Sequence, residues 1–204
     1  MPAIDSLRTL LVEQLKDIYD AEKRLTKAIP KLIKKSSNTE LSTALKNHLG
    51  ETEEHVARLE QAFELLDEPA KAKPCAGMKG LIEEGDEHVG EDYEDDGLRD
   101  ATIIGAAQRV EHYEIAAYGT AIAHARLLGL DEVASLLQAT IKEEGAADKK
   151  LTEIAESVVN LDAASQDEEE GEMAVARSRR STAGRAGARA SASDRGRKSK
   201  RSRR

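Results

Sequence analysis

The chain has 204 residues, with 31 Lys/Arg against 39 Asp/Glu, a formal net charge of −8, 2% aromatic residues and no Trp. Its core must therefore be aliphatic, and no stretch approaches the roughly 20 apolar residues of a membrane span. The single Cys75 excludes an intrachain disulfide and suits a reducing compartment, and the N-terminus lacks a basic segment followed by an apolar one, so a cytoplasmic location is expected.

Helical spacing dominates the first 160 residues. A first helix starts near Ser6 and runs into the thirties, with Leu7, Leu11, Ile18, Glu22, Leu25 and Ile29 on its inward stripe. Pro30 is expected to kink or restart it, because Leu32 and Ile33 continue the apolar pattern. Ser36-Ser37-Asn38-Thr39 makes a turn in which Asn38 or Thr39 caps a second helix over about 39–67. That helix buries Leu41, Leu45, His48, Thr52, His55, Leu59 and Phe63, with Glu51 on the flank of the stripe.

Two prolines mark residues 68–75 as a connection, followed by a short helix near 76–94. A third long helix spans about Leu98–Leu127, Gly129 breaks the chain, and a fourth spans about Asp131–Val159 with Leu137, Ile141, Glu144, Asp148 and Leu151 inward. Two long hairpins joined by a crossover of some 30 residues predict an all-α, ferritin-like four-helix bundle over 1–162, with a short extra helix in the crossover.

Beyond residue 162 there is almost nothing to bury. Residues 1–172 hold 19 Lys/Arg and 38 Asp/Glu (net −19), whereas residues 173–204 hold 12 Lys/Arg and one Asp (net +11). Residues 163–204 are expected to form a disordered tail, acidic over 167–172 and basic over 173–204. The basic part would attract DNA or RNA phosphates weakly and without sequence preference, since it has no aromatic residue to stack on bases.

The functional clue is a recurrence of carboxylates on apolar stripes. On the third long helix Glu111 and Glu114 sit among Ile103, Ala107, Val110 and Ile122, and the other helices offer Glu22, His48 with Glu51, and Glu144 with Asp148. A lone glutamate on such a stripe is most often an edge residue whose head reaches water. Four helices showing one at comparable depth instead point to a shared site, because a buried carboxylate without a partner costs several kcal/mol. Carboxylate and imidazole ligands suit two iron ions, with manganese the alternative. Glu22, His48, Glu51, Glu111, Glu114, Glu144 and Asp148 form the expected ligand set, and His55 stands as the alternative to His48.

The chain resembles the YciE/YciF family of bacterial ferritin-like proteins. The resemblance rests on Asp17-x-Tyr19-x-Ala21-Glu22, His48-Leu49-x-Glu51-Thr52, the crossover Cys75-x-x-Met78-x-Gly80-Leu81-Ile82-Glu83-Glu84, Arg99-Asp100-Ala101, Val110-Glu111-His112-Tyr113-Glu114-Ile115-Ala116-x-Tyr118-Gly119-Thr120, and Glu143-Glu144 with Asp148. It implies a homodimer, a di-metal centre like that of rubrerythrins and a link to bacterial stress responses. Position 55 is not a fixed histidine in the family pattern, which favours His48. Three functions compete: a di-iron oxidoreductase acting on peroxide or oxygen, a non-catalytic structural or metal-binding protein, and a nucleic-acid-associated protein acting through its tail.

Overall fold

Ser6 has extended backbone and its hydroxyl accepts from the Thr9 amide, which starts helix α1 (Leu7–Lys35). This computed structural model describes residues 4–165, and every regular element among them is helical. Helix α1 continues through Pro30 to Lys35, carrying Leu32 and Ile33 with it. Asn38 caps α2 (Thr39–Leu65), its side chain accepting from Glu40 and Leu41. The cap is itself anchored from across the molecule, because Asp100 accepts from the Ser37 and Asn38 amides at 3.0 and 2.6 Å.

The crossover holds α3 (Ala76–Gly90), which ends four residues short of the expected boundary and is capped by Cys75. Asp95 caps α4 (Asp96–Leu127) through the Gly97 and Leu98 amides, and Gly129, at φ 71°, turns the chain into α5 (Asp131–Ile154). A π-helical segment, Ala155–Val159, extends α5. Helix α1 packs on α2 and α4, and α5 packs on the same two, so the four long helices close around one interior while α3 covers α4 and α1. This is the ferritin-like arrangement of two hairpins joined by one long connection. Among the described residues, no helix is long and apolar enough to cross a membrane.

The apolar core is not continuous. One cluster gathers Leu11, Leu15, Phe63, Tyr118 and Leu137, and a second gathers Leu25, Leu41, Met78, Ile103 and Ile154. Along each long helix the two sets are separated by polar residues: Glu22 on α1, His48 to His55 on α2, Glu111 and Glu114 on α4, Glu144 on α5. The bundle is thus two aliphatic blocks with a polar layer between them. Burying one aliphatic side chain contributes about 1.5–3 kcal/mol, and the two blocks supply what the polar layer withholds.

The expected tail, 163–204, lies outside the described residues apart from its first three positions.

Candidate metal centre

Four carboxylates meet two imidazoles in the polar layer. Glu22, Glu111, Glu114, Glu144 and His55 are each at most 2% exposed, and His48 is 7% exposed. On α2 the two histidines stand seven residues apart, two helical turns, so both face the interior. His55 Nδ1 lies 2.9 Å from Glu144 Oε1 and 3.5 Å from Glu22 Oε1. His48 Nε2 lies 3.2 Å from Glu111 Oε1 and 3.8 Å from Glu144 Oε2. Two three-residue groups result, Glu22–His55–Glu144 and His48–Glu111–Glu144, each with its ligand atoms within 4.8 Å of one another. Glu144 belongs to both, through a different oxygen in each.

Many of these atoms have no hydrogen-bond partner. Glu22 Oε2, Glu111 Oε2, Glu114 Oε1, both oxygens of Glu144 and His55 Nδ1 are buried and unbonded. Even the 2.9 Å approach of His55 Nδ1 to Glu144 lacks hydrogen-bond alignment. Buried polar atoms are nearly always satisfied, and each one left open costs about 1–3 kcal/mol. Asp100 makes the contrast inside the same protein. It is 3% exposed, but both its oxygens take backbone amides, which is how a structural buried carboxylate behaves.

Electrostatics follow from the crowding. Burial pushes the Glu22 carboxyl up, and it also pushes the Glu114 carboxyl well above the usual range, aided by the charges of Glu22, Glu144 and Glu111. Glu144 rises to about 7, chiefly through burial, against the lowering effect of His55. Burial works in the opposite sense on the imidazoles. It is outweighed by Glu111 and Glu51 at His48, which sits well above its ordinary value, and by Glu144 and Glu22 at His55, which is pushed up to about 10. Tyr118, fully buried, donates its hydroxyl to Glu22 Oε1 at 2.5 Å.

Residues behind the layer complete the picture. Arg58 binds both oxygens of Glu143 at 2.5 and 2.9 Å and holds that carboxyl below its usual range. Glu143 in turn lies 2.9 Å from His55 Nε2. An ionised carboxylate can only accept, so His55 Nε2 carries a proton. A cleft between α2 and α5, lined by Thr43, Asn47, Glu51, Ala147 and Lys150, reaches His48 and Glu111 from the surface.

Of the expected ligands, Glu22, His48, Glu111, Glu114 and Glu144 come together. Glu51 and Asp148 do not join them. The Glu51 side chain is 46% exposed and touches only the outer nitrogen of His48, at 3.4 Å. Asp148 is drawn sideways by Gln108 Nε2 at 3.0 Å and faces His112. His55, the alternative, lies at the centre. Its place on the α2 stripe carried that signal, whereas the Arg58–Glu143 backing, which joins residues 85 apart in sequence, carried none.

A family described as a domain of unknown function, DUF892, matches residues 6–164. The chain belongs to this family. Protein YciF of Escherichia coli (strain K12) is 44% identical to it over 156 residues, covering 76% of this chain and 93% of that protein. The crystal structure of the E. coli stress protein YciF matches the fold with a TM-score of 0.73, over 77% of this chain and 99% of that one. YcfI from Rhodopseudomonas palustris matches at 43% identity and a TM-score of 0.72, over 74% of this chain and 98% of that one. A Xanthomonas campestris pv. campestris protein, 22% identical, matches with a TM-score of 0.64 over 79% of this chain and 99% of its own, a likeness of fold alone. The family is thus the one that the sequence motifs suggested, and it brings no assigned chemistry with it.

Proposed function

We propose that this protein is a di-metal carboxylate protein that binds two iron or manganese ions in the polar layer of its bundle and serves the cytoplasmic stress response. The observation that carries the reading is the pair of buried ligand groups sharing Glu144. Their open atoms fit a cation and little else: they are hard oxygen donors and imidazole nitrogen, shielded from water, with no lysine or arginine among them. The inventory of four glutamates and two histidines equals that of di-iron bundles, redistributed so that α2 gives both histidines and α4 two glutamates. E. coli YciF is a stress protein, and 44% identity supports carrying that role over.

Glu22 and His55 would hold one ion, His48 and Glu111 the other, with Glu144 between them. Glu114 adds a carboxylate close to members of both groups. Iron held there supplies reversible one-electron chemistry toward peroxide or dioxygen. The chain's own part is to keep the ligands dry, to keep the His55 proton on Nε2, and to tie Glu22 to the Tyr118 hydroxyl.

Metal analysis of protein purified without chelator should give about two ions per chain, and Glu144→Ala should remove most of both. A variant that retains wild-type metal content places the site elsewhere. Iron-loaded protein should consume hydrogen peroxide faster than the same amount of free ferrous iron; equal rates would reduce the function to metal binding.

A basic tail of net +11 favours a second activity, sequence-independent attachment to DNA or RNA. The dimer implied by the family resemblance remains a further expectation, checked by the mass in solution.

A further inference from the structure

The two histidines of the centre are supported very differently. Behind His55, Glu143 Oε2 takes the Nε2 proton at 2.9 Å and both Glu143 oxygens are gripped by Arg58, which also reaches Thr140 Oγ at 3.3 Å. With that proton held on Nε2, Nδ1 is the nitrogen left to bind a cation when the ring is neutral, and it faces Glu22 and Glu144. A carboxylate behind a ligating histidine fixes its orientation and raises its donor strength, and losing such a partner typically costs 10–100-fold in metal affinity. Behind His48 stands only Glu51, at 3.4 Å, half-exposed and paired with no lysine or arginine among the described ion pairs. His48 also borders the α2–α5 cleft, whereas His55 and Glu22 are 0% exposed.

We propose that the Arg58–Glu143 pair is a positioning device for His55, and that the Glu22–His55–Glu144 subsite consequently takes a divalent cation first and more tightly than the His48–Glu111–Glu144 subsite. This rests on the di-metal reading above. The first ion sits in the closed, preorganised half of the layer. The second sits in the half that meets the cleft and exchanges with solution. Glu143 touches no metal in this scheme; it acts through His55.

The test is a titration of the metal-free full chain with cobalt(II) alone, followed by calorimetry and by the visible absorption of the bound ion. Wild type should show two resolved steps. His48→Ala should lose the weaker step and keep the tighter one. Glu143→Gln preserves shape and leaves an oxygen to accept from Nε2 but removes the charge; it should weaken the first step by about 10–100-fold and leave the second unchanged, so that the two steps converge. Arg58→Met should shift the same step in the same direction. A merely structural role would lower the unfolding temperature of the metal-free protein and both steps alike. Two ions bound with equal affinity, loss of the tighter step in His48→Ala, or an unaltered first step in Glu143→Gln would each overturn the proposal while leaving the di-metal reading intact. No cobalt bound by wild type overturns both.

Discussion

Replacing Glu114 with leucine should make the metal-free protein more stable. Glu114 is 1% exposed and its Oε1 has no partner. Burial, together with the like charges of Glu22, Glu144 and Glu111, raises its pKa. An unsatisfied buried oxygen costs about 1–3 kcal/mol, and exchanging buried ionic groups for well-packed apolar ones commonly stabilises by about 1–4 kcal/mol. A gain of about 2–3 kcal/mol is expected, which for a domain of this size raises Tm by about 4–12 °C. The metal effect should move the other way. Ions that bind only the native state at 100 times their Kd add about 2.7 kcal/mol to wild type, and Glu114→Leu should show a smaller increment. Calorimetric melts with and without manganese, on both proteins, give the four temperatures needed. A metal-free Glu114→Leu that melts below wild type would show that the carboxylate is a structural asset, and the reasoning from open buried atoms would fail.

Metal binding near pH 7 should release protons, because Glu144, raised from 4.5 to about 7, and His55, raised from 6.5 to about 10, must lose them to become ligands. Calorimetry in two buffers of different ionisation enthalpy reads that release, and affinity should fall as pH drops below about 7; pH-independent binding would refute it. For the metal-free protein the sign is opposite to that of an ordinary salt-bridged carboxylate. Glu144's folded pKa exceeds its unfolded value, so its contribution to stability is complete below about 4.5 and is lost as pH rises through about 7, which urea melts at pH 5 and 8 can detect. Gly77→Ala should destabilise by about 1–3 kcal/mol, since its Cβ would lie 2.7 Å from the Tyr113 ring and push that hydroxyl away from Cys75 and Asp17; unchanged urea melts would sink this. Full-length protein should shift duplex DNA at low salt and lose the shift as salt rises from about 50 to 200 mM, whereas a chain ending at Ala164 should not bind at all.

The four long helices were legible because their aliphatic stripes repeat at helical spacing and their ends carry readable caps, such as Asn38. The polar layer was legible for the same reason: a glutamate at the phase of Leu7, Leu11 and Ile18 has nowhere else to point. What spacing could not settle was the last 60° of rotation and the side-chain partners. Glu51 and Asp148 both lie within reach of an inward stripe on a helical projection, but one swings to solvent and the other is captured by Gln108. The phase of Asp100 gave no clue that its oxygens would cap a turn on another helix, and nothing local to Glu143 announces that it backs His55. Contacts between residues some 60 or 85 positions apart are fixed by packing, which a single sequence does not display.

Charge balance separates a metal centre from a merely tolerated polar layer. Four buried carboxylates face two imidazoles, and the other buried polar side chains of the layer, Thr52, Tyr118 and Thr140, bring no cation. With both imidazoles protonated and all carboxylates ionised, the layer would still hold two uncompensated negative charges in a dry interior. The raised pKa values of Glu22, Glu114 and Glu144 show how the metal-free protein meets this, by keeping protons that solvent-exposed glutamates would have lost. Two divalent ions balance four carboxylates with neutral imidazoles and no retained protons, and they also give the open oxygens and the His55 Nδ1 lone pair something to bind. A polar layer kept only for specificity would show hydrogen-bonded closure of the Asp100 kind. This one is open at the same atoms that a pair of cations would take.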